Sequence, residues 1–156
     1  GQTSIHSLVV LNGKIYGGTY NTGQLFEWNG SNAWVSVAPQ LDGQEYIYSL
    51  VVLNGKIYGG THNTGQLFEW NGSDAWVSVA PQLGTQTYIY SLVVLNGKIY
   101  GGSAQEGQLF EWNGSDAWVS VAPQLDTQTH IYSLVVLNGK IYGGTHNTGQ
   151  LFRWRI

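Results

Sequence analysis

The segment Ser-Leu-Val-Val-Leu-Asn-Gly-Lys-Ile-Tyr-Gly-Gly begins at Ser7, Ser49, Ser91 and Ser133, so this chain repeats itself every 42 residues. Residues 49–90 and 91–132 differ at only six positions. A unit of about 40–45 residues rich in strand-forming residues has the length of one four-stranded propeller blade. In the second unit, turn residues and period-2 alternation predict strand a over Ile47 to Leu53 and strand b over Lys56 to Thr61. Strand c is expected over Gln66 to Trp70, and strand d over Ala75 to Ala80. Asn54-Gly55 is a favoured two-residue hairpin turn, and Pro81, which has no backbone donor, ends strand d at an outer edge. Strand a is apolar on both faces, Leu50 and Val52 on one and Val51 and Leu53 on the other, so it must be covered from both sides, as between neighbouring blades. The expected fold is an all-β propeller with a single domain over 1–156. Its blades fall at about 1–41, 42–83, 84–125 and 126–156, and the last lacks its outer strand.

Composition narrows the partners. Only 10% of residues are charged, the net charge is −3, and six Lys and Arg are too few to track a phosphate backbone, so nucleic acid is not an expected ligand. With no Cys, neither a disulfide nor a thiolate metal site can hold the chain together. No run of about 18 apolar residues exists, so no helical span and no membrane partner are expected. Aromatic residues reach 13% and Gly counts 22, which suits many tight turns and many large flat side chains.

The diglycines Gly17-Gly18, Gly59-Gly60, Gly101-Gly102 and Gly143-Gly144 follow an apolar strand in each unit. Downstream lie the pairs Trp28/Trp34, Trp70/Trp76 and Trp112/Trp118, then Ala-Pro at the end of strand d. With these features the unit resembles the kelch repeat of β-propellers, which implies a binding or protein-interaction platform rather than an enzyme. The near-identity of the units also resembles a recently amplified or an engineered symmetric propeller. The diglycine is expected to relieve packing by letting backbone approach closely near a crowded axis. No Gly-rich loop opens a helix, which phosphate binding of that kind needs.

The chain holds four a, b and c strands but only three d strands, because nothing before Gly1 matches Ala75 to Ala80 and the fourth unit stops in strand c at Arg153-Trp154-Arg155-Ile156. Repeat arrays are stabilised by neighbour interfaces, and each unmade one withholding about 500 Å² of apolar burial costs on the order of 12 kcal/mol. Either four blades close alone, or two chains join end to end into a ring of about eight. The homodimer is the expectation, because four blades demand an unusually wide splay.

Differences between units cluster in two connections. The b–c loop carries Tyr20 and Asn21, then His62 and Asn63, then Gln105, then His146 and Asn147. The d–a loop carries Asp42 and Tyr46, then Tyr88, then Asp126 and His130. In an antiparallel meander these connections emerge on one face of the disc, and loops on a rigid scaffold are where binding resides. Amides, carboxylates and rings are groups that hydrogen-bond to and stack on sugars. These twelve residues are therefore the candidate site of a glycan or small polar ligand, one subsite per blade. The plainer reading is simple drift of exposed loops.

No catalytic residue, metal or cofactor is expected. His6, His62, His130 and His146 include no i,i+4 pair, and no Cys assists them. Glu27, Glu69 and Glu111 recur in strand c, with Arg153 at the fourth position, which reads as a solvated strand face and not as a general acid. Asn29-Gly30-Ser31, Asn71-Gly72-Ser73 and Asn113-Gly114-Ser115 match the N-glycosylation pattern, but hairpin turn chemistry accounts for them.

Overall fold

The structure is a computed structural model describing residues 4–41, 44–83, 85–122, 125 and 127–156. Among the described residues, fifteen strands form four antiparallel meanders. The first blade is β1 (Ile5–Leu11), β2 (Lys14–Thr19), β3 (Leu25–Trp28) and β4 (Trp34–Ala38). The second is β5 (Ile47–Leu53), β6 (Lys56–Thr61), β7 (Leu67–Trp70) and β8 (Trp76–Ala80). The third is β9 (Ile89–Leu95), β10 (Lys98–Ser103), β11 (Leu109–Trp112) and β12 (Trp118–Ala122). The fourth has three strands, β13 (Ile131–Leu137), β14 (Lys140–Thr145) and β15 (Leu151–Trp154).

Strands a and b of the second blade coincide with those expected from sequence, because Asn54 (φ 51°) and Gly55 (φ 74°) both sit in the left-handed region that a type I′ hairpin needs. Strands c and d start one residue later than expected. The Gln66 amide donates to Thr61 Oγ1 at 3.2 Å, and the Ala75 amide to Asn71 Oδ1 at 3.1 Å, so loop and turn take both residues from the ladder. Asn71 Oδ1 also accepts from Ser73 and Asp74, an Asx-type cap that explains the repeated Asn-Gly-Ser as turn chemistry.

The core lies between blades. At the junction of the second and third, Val51, Leu53, Tyr58 and Leu67 meet Ile89, Leu92, Ile99, Phe110 and Trp112. The same residues recur one unit earlier and one later. Each strand a is thus covered on both sides in the inner blades, as its apolar sequence requires. The second glycine of the diglycine is fixed here. A Cβ on Gly60 would lie 2.7 Å from Ile89 Cγ2, on Gly18 2.6 Å from Ile47 Cγ2, and on Gly102 2.7 Å from Ile131 Cγ2. The close approach therefore comes from the next blade's isoleucine, and not from crowding at the axis. Beside it the tyrosine ring of one blade meets the tryptophan of the next, Tyr16–Trp70 and Tyr58–Trp112, both at 5.4 Å.

The strand-c glutamates are not merely a solvated face. Lys14–Glu27, Lys56–Glu69 and Lys98–Glu111 pair at 2.8, 2.7 and 2.6 Å, and the Tyr58 hydroxyl donates to Glu69 Oε2 at 2.8 Å. Hydrogen bonds from Lys14 and then Tyr16 hold the Glu27 carboxyl below the usual range, while burial and then Glu27 push Tyr16 up to about 12. In the fourth blade Arg153 stands cross-strand from Tyr142 in place of the acid.

The arc does not close on itself. β1 packs on β5, β5 on β9 and β9 on β13, leaving Leu8 and Val10 exposed at one end and Val135 and Leu137 at the other. Adding a methyl at a junction tests this packing: Gly60→Ala and Gly102→Ala should each lower the unfolding free energy by about 1–3 kcal/mol, the cost of overpacking a filled core. Urea midpoints unchanged from the parent would contradict the junction geometry.

Candidate ligand-binding face

Strand a begins with a register shift in every blade. Ile47 pairs with Thr61 and Ser49 with Gly60, so Tyr48 between them has no cross-strand partner. The same shift frees His6, Tyr90 and Tyr132. These four rings form an inner track, with centroids 5.7 Å (His6–Tyr48), 5.0 Å (Tyr48–Tyr90) and 5.0 Å (Tyr90–Tyr132) apart.

The variable loops add an outer layer. Tyr20 stacks on His6 at 4.9 Å and reaches Tyr46 at 4.1 Å, across a blade boundary. Tyr46 meets His62 at 4.6 Å, and His62 meets Tyr88 of the next blade at 4.2 Å. Tyr88 lies parallel to Tyr90 at 5.6 Å, and His130 touches both Tyr132 (5.5 Å) and His146 (5.2 Å). Ten rings thereby make one contiguous arc on the face of the b–c and d–a connections. Of the candidates read from sequence, Tyr20, Tyr46, His62, Tyr88, His130 and His146 are brought together here. These ring contacts bridge neighbouring blades.

The amide candidates border that track. Asn147 donates through Nδ2 to Thr127 O at 3.1 Å, and its Oδ1 lies 2.9 Å from His146 Nδ1. Asn21, Asn63 and Gln105 occupy the equivalent left-handed corner of their loops. Asp42 and Asp126 lie outside the described residues. Not among the candidates are Tyr48, Tyr90 and Tyr132, which read as ordinary strand residues and recur in the last three units, nor His6 at the same position of the first unit, which was weighed only as a metal ligand. Tyrosine at the first strand-a positions, beside a loop tyrosine two residues earlier, was the one available signal.

Buried glutamines brace the loops. Gln44 Nε2 donates to Thr64 Oγ1 at 2.8 Å and Gln128 Nε2 to Thr148 Oγ1 at 2.8 Å. In the third blade Glu106 replaces that threonine and Ala104 replaces the ring, so Gln86 turns to Thr85 at 3.5 Å. The loops also interlock between blades: a Cβ on Gly65 would lie 2.8 Å from Gln86 O. Burial pushes Tyr48 up to about 12, and a hydrogen bond with Tyr20, then burial, raises Tyr46 to about 12. Below the arc, an apolar groove of about 420 Å³ runs along the four a strands, lined by Val9, Leu50, Val93, Val136 and their neighbours. Among the described residues no group of three or more His, Cys, Asp or Glu is placed to hold a metal.

Similar structures can now be set beside this geometry. The chain aligns over 99% of its length, at a TM-score of 0.75 and 10% identity, with 56% of a catalytically inactive virginiamycin B lyase from Staphylococcus aureus. It aligns at 0.68 and 15% with 46% of the computationally designed Ika8 protein. It also aligns at 0.74 and 19% with 21% of the extracellular domain of the putative hybrid two component system BT4673 from B. thetaiotaomicron. The chain has the β-propeller fold. It spans about half the length, or less, of the propellers it matches, and at these identities the likeness carries the fold alone. No family model and no curated protein sequence matches the chain.

The propeller's histidines make its stability pH-dependent. Burial holds His62 and His130 below the usual value of 6.5, and His146 adds repulsion at His130. Their folded forms are neutral, so the unfolded chain takes up protons first. The contribution is full above pH 6.5 and is lost as the pH falls from there through the depressed folded values. Chemical denaturation between pH 8 and 5 should show this decline, and His62→Gln with His130→Gln should flatten it. An equally steep decline in the double variant would mean that other groups titrate.

Proposed function

We propose that this chain is a non-catalytic binding module that lays a neutral glycan, or a similar polyhydroxylated molecule, along the ten-ring arc. The contiguous aromatic track is the observation that carries the reading. Aromatic rings offer flat apolar area with a polar handle, which suits the C–H faces and hydroxyl edges of a sugar. The bordering Asn, Gln, Thr and His side chains supply directional hydrogen bonds. Bases also stack on such tracks, but those sites need cations along the backbone, and a net charge of −3 offers none to spare. The strand-c glutamates are each paired with a lysine across the hairpin, an arrangement that favours a structural role over a catalytic one.

We further read the working form as a ring of about eight blades made from two copies. Exposed end faces and a length close to half of two of the matched propellers support it. The near-identity of the units and the likeness to a designed propeller favour, as a second reading, a symmetric scaffold selected for folding and assembly. Binding separates the two. On a glycan array the parent should give discrete hits, and Tyr48→Ala with Tyr90→Ala should weaken the best by at least about tenfold, near 1.4 kcal/mol. No hit on the array, or unchanged affinity in the double variant, would leave the scaffold reading standing.

A further inference from the structure

We infer that the two end faces of one chain are the two halves of its own internal junction, so a second copy joins head to tail. This rests on the two-copy reading above and names the surfaces, their pairing and the consequence for the ligand track. The leading end exposes Leu8 at 59% and Ile15 at 40%, where the internal equivalents Leu50 and Leu92 are at 6% and Ile57, Ile99 and Ile141 at 0%. The trailing end exposes Val135 at 57% and Leu137 at 56%, where Val51 and Leu53 are both at 9%. Each internal junction joins one face of each kind. A leading face therefore fits the part of a trailing face built by strands a, b and c; Ala80 and Leu83, which also line an internal junction, have no counterpart among the three strands of the fourth blade.

The shapes agree with this pairing and oppose like-with-like contact. A leading face projects isoleucine and tryptophan; a trailing face offers the glycine recess and a tyrosine ring. At Gly18, Gly60 and Gly102 an added Cβ would strike the next blade's isoleucine, whereas at Gly144 it meets only Ser133 Oγ, 2.9 Å away. Gly144 of one copy is thus the recess for Ile5 of the second copy. Tyr142 lies over Trp28 of the second copy, as Tyr16 lies over Trp70 and Tyr58 over Trp112. Ser133 Oγ takes the Leu8 amide of the second copy, as Ser7 Oγ accepts from Leu50 N at 2.8 Å.

The same superposition carries the ligand track across the joint. Tyr48–Tyr90 and Tyr90–Tyr132 span internal junctions at 5.0 Å, so Tyr132 meets His6 of the second copy. Two arcs become one circle of rings around a closed channel. Two identical joints related by a two-fold axis satisfy both ends of both chains, which makes the assembly finite.

Two single-face variants test this, Leu8→Arg on the leading face and Val135→Arg on the trailing face; both positions are exposed in the single chain, so the blades should still form. By sedimentation equilibrium at micromolar concentration the parent should give twice 17.1 kDa, and each variant alone 17.1 kDa. Mixing the two variants should restore a dimer, because one intact leading face then meets one intact trailing face. A parent of 17.1 kDa, a variant that stays dimeric alone, or assemblies beyond two copies would each overturn the head-to-tail closure. The glycan reading fails separately: monomeric variants keep the arc within one chain, so an array without hits on intact dimers removes that reading and leaves the joint untouched.

Discussion

Everything in this molecule depends on an isoleucine of one blade entering the space left by a glycine of the blade before it. Ile47, Ile89 and Ile131 are fully buried, and each sits where Gly18, Gly60 or Gly102 has no room for even a methyl group. Tyrosine over tryptophan seals the same junction a strand further out. A blade on its own therefore has two apolar faces and no core, and stability comes from neighbour contacts, as in other repeat arrays. This explains why the strands hardly vary between units. A change on one face must suit the next blade's opposite face, and in a repeat the two are copies of one sequence.

The junction also builds the aromatic face. For isoleucine to point into the recess two residues before the strand resumes normal pairing, strand a must carry a register shift, and the residue inside the shift has to leave the ladder. That residue is Tyr48, Tyr90 or Tyr132, or His6 in the first blade. One irregularity thus supplies both the deepest packing contact and the inner row of rings. The loops that complete the arc are held to the same frame by the Gln44–Thr64 and Gln128–Thr148 hydrogen bonds. Rigidity at such a site lowers the entropic cost of ordering it around a ligand.

These two consequences explain what the sequence disclosed and what it hid. Strands a and b were legible to the residue because Asn-Gly fixes a type I′ turn and pins the register on both sides. The b–c and d–a loops were legible as the variable regions, and their rings do meet. The inner row was hidden because a shift of one residue cannot be seen in an alternating apolar pattern, and because tyrosine there does not vary among the later units. The diglycine was recognised as a place of close approach, but what approaches it is a side chain 29 residues further along, as in Gly60 and Ile89, a contact that only the tertiary arrangement creates. The glutamates looked like solvated strand positions because their lysine partners stand 13 residues earlier, a spacing set by the hairpin and by no local rule.

Symmetry in the strands does not impose symmetry on the face. The junction constrains Ile, Gly, Tyr and Trp, whereas positions 20, 62, 104 and 146 are Tyr, His, Ala and His. At the third, Ala104 is fully buried and interrupts the outer layer, while the inner row runs on through Tyr90 to Tyr132. The outer layer therefore carries Tyr20 and Tyr46 beside His6 and His62 toward one end, and His130 and His146 toward the other. The fold achieves this without touching a junction residue, because the packing contacts and the loop rings fall on opposite sides of a single register shift.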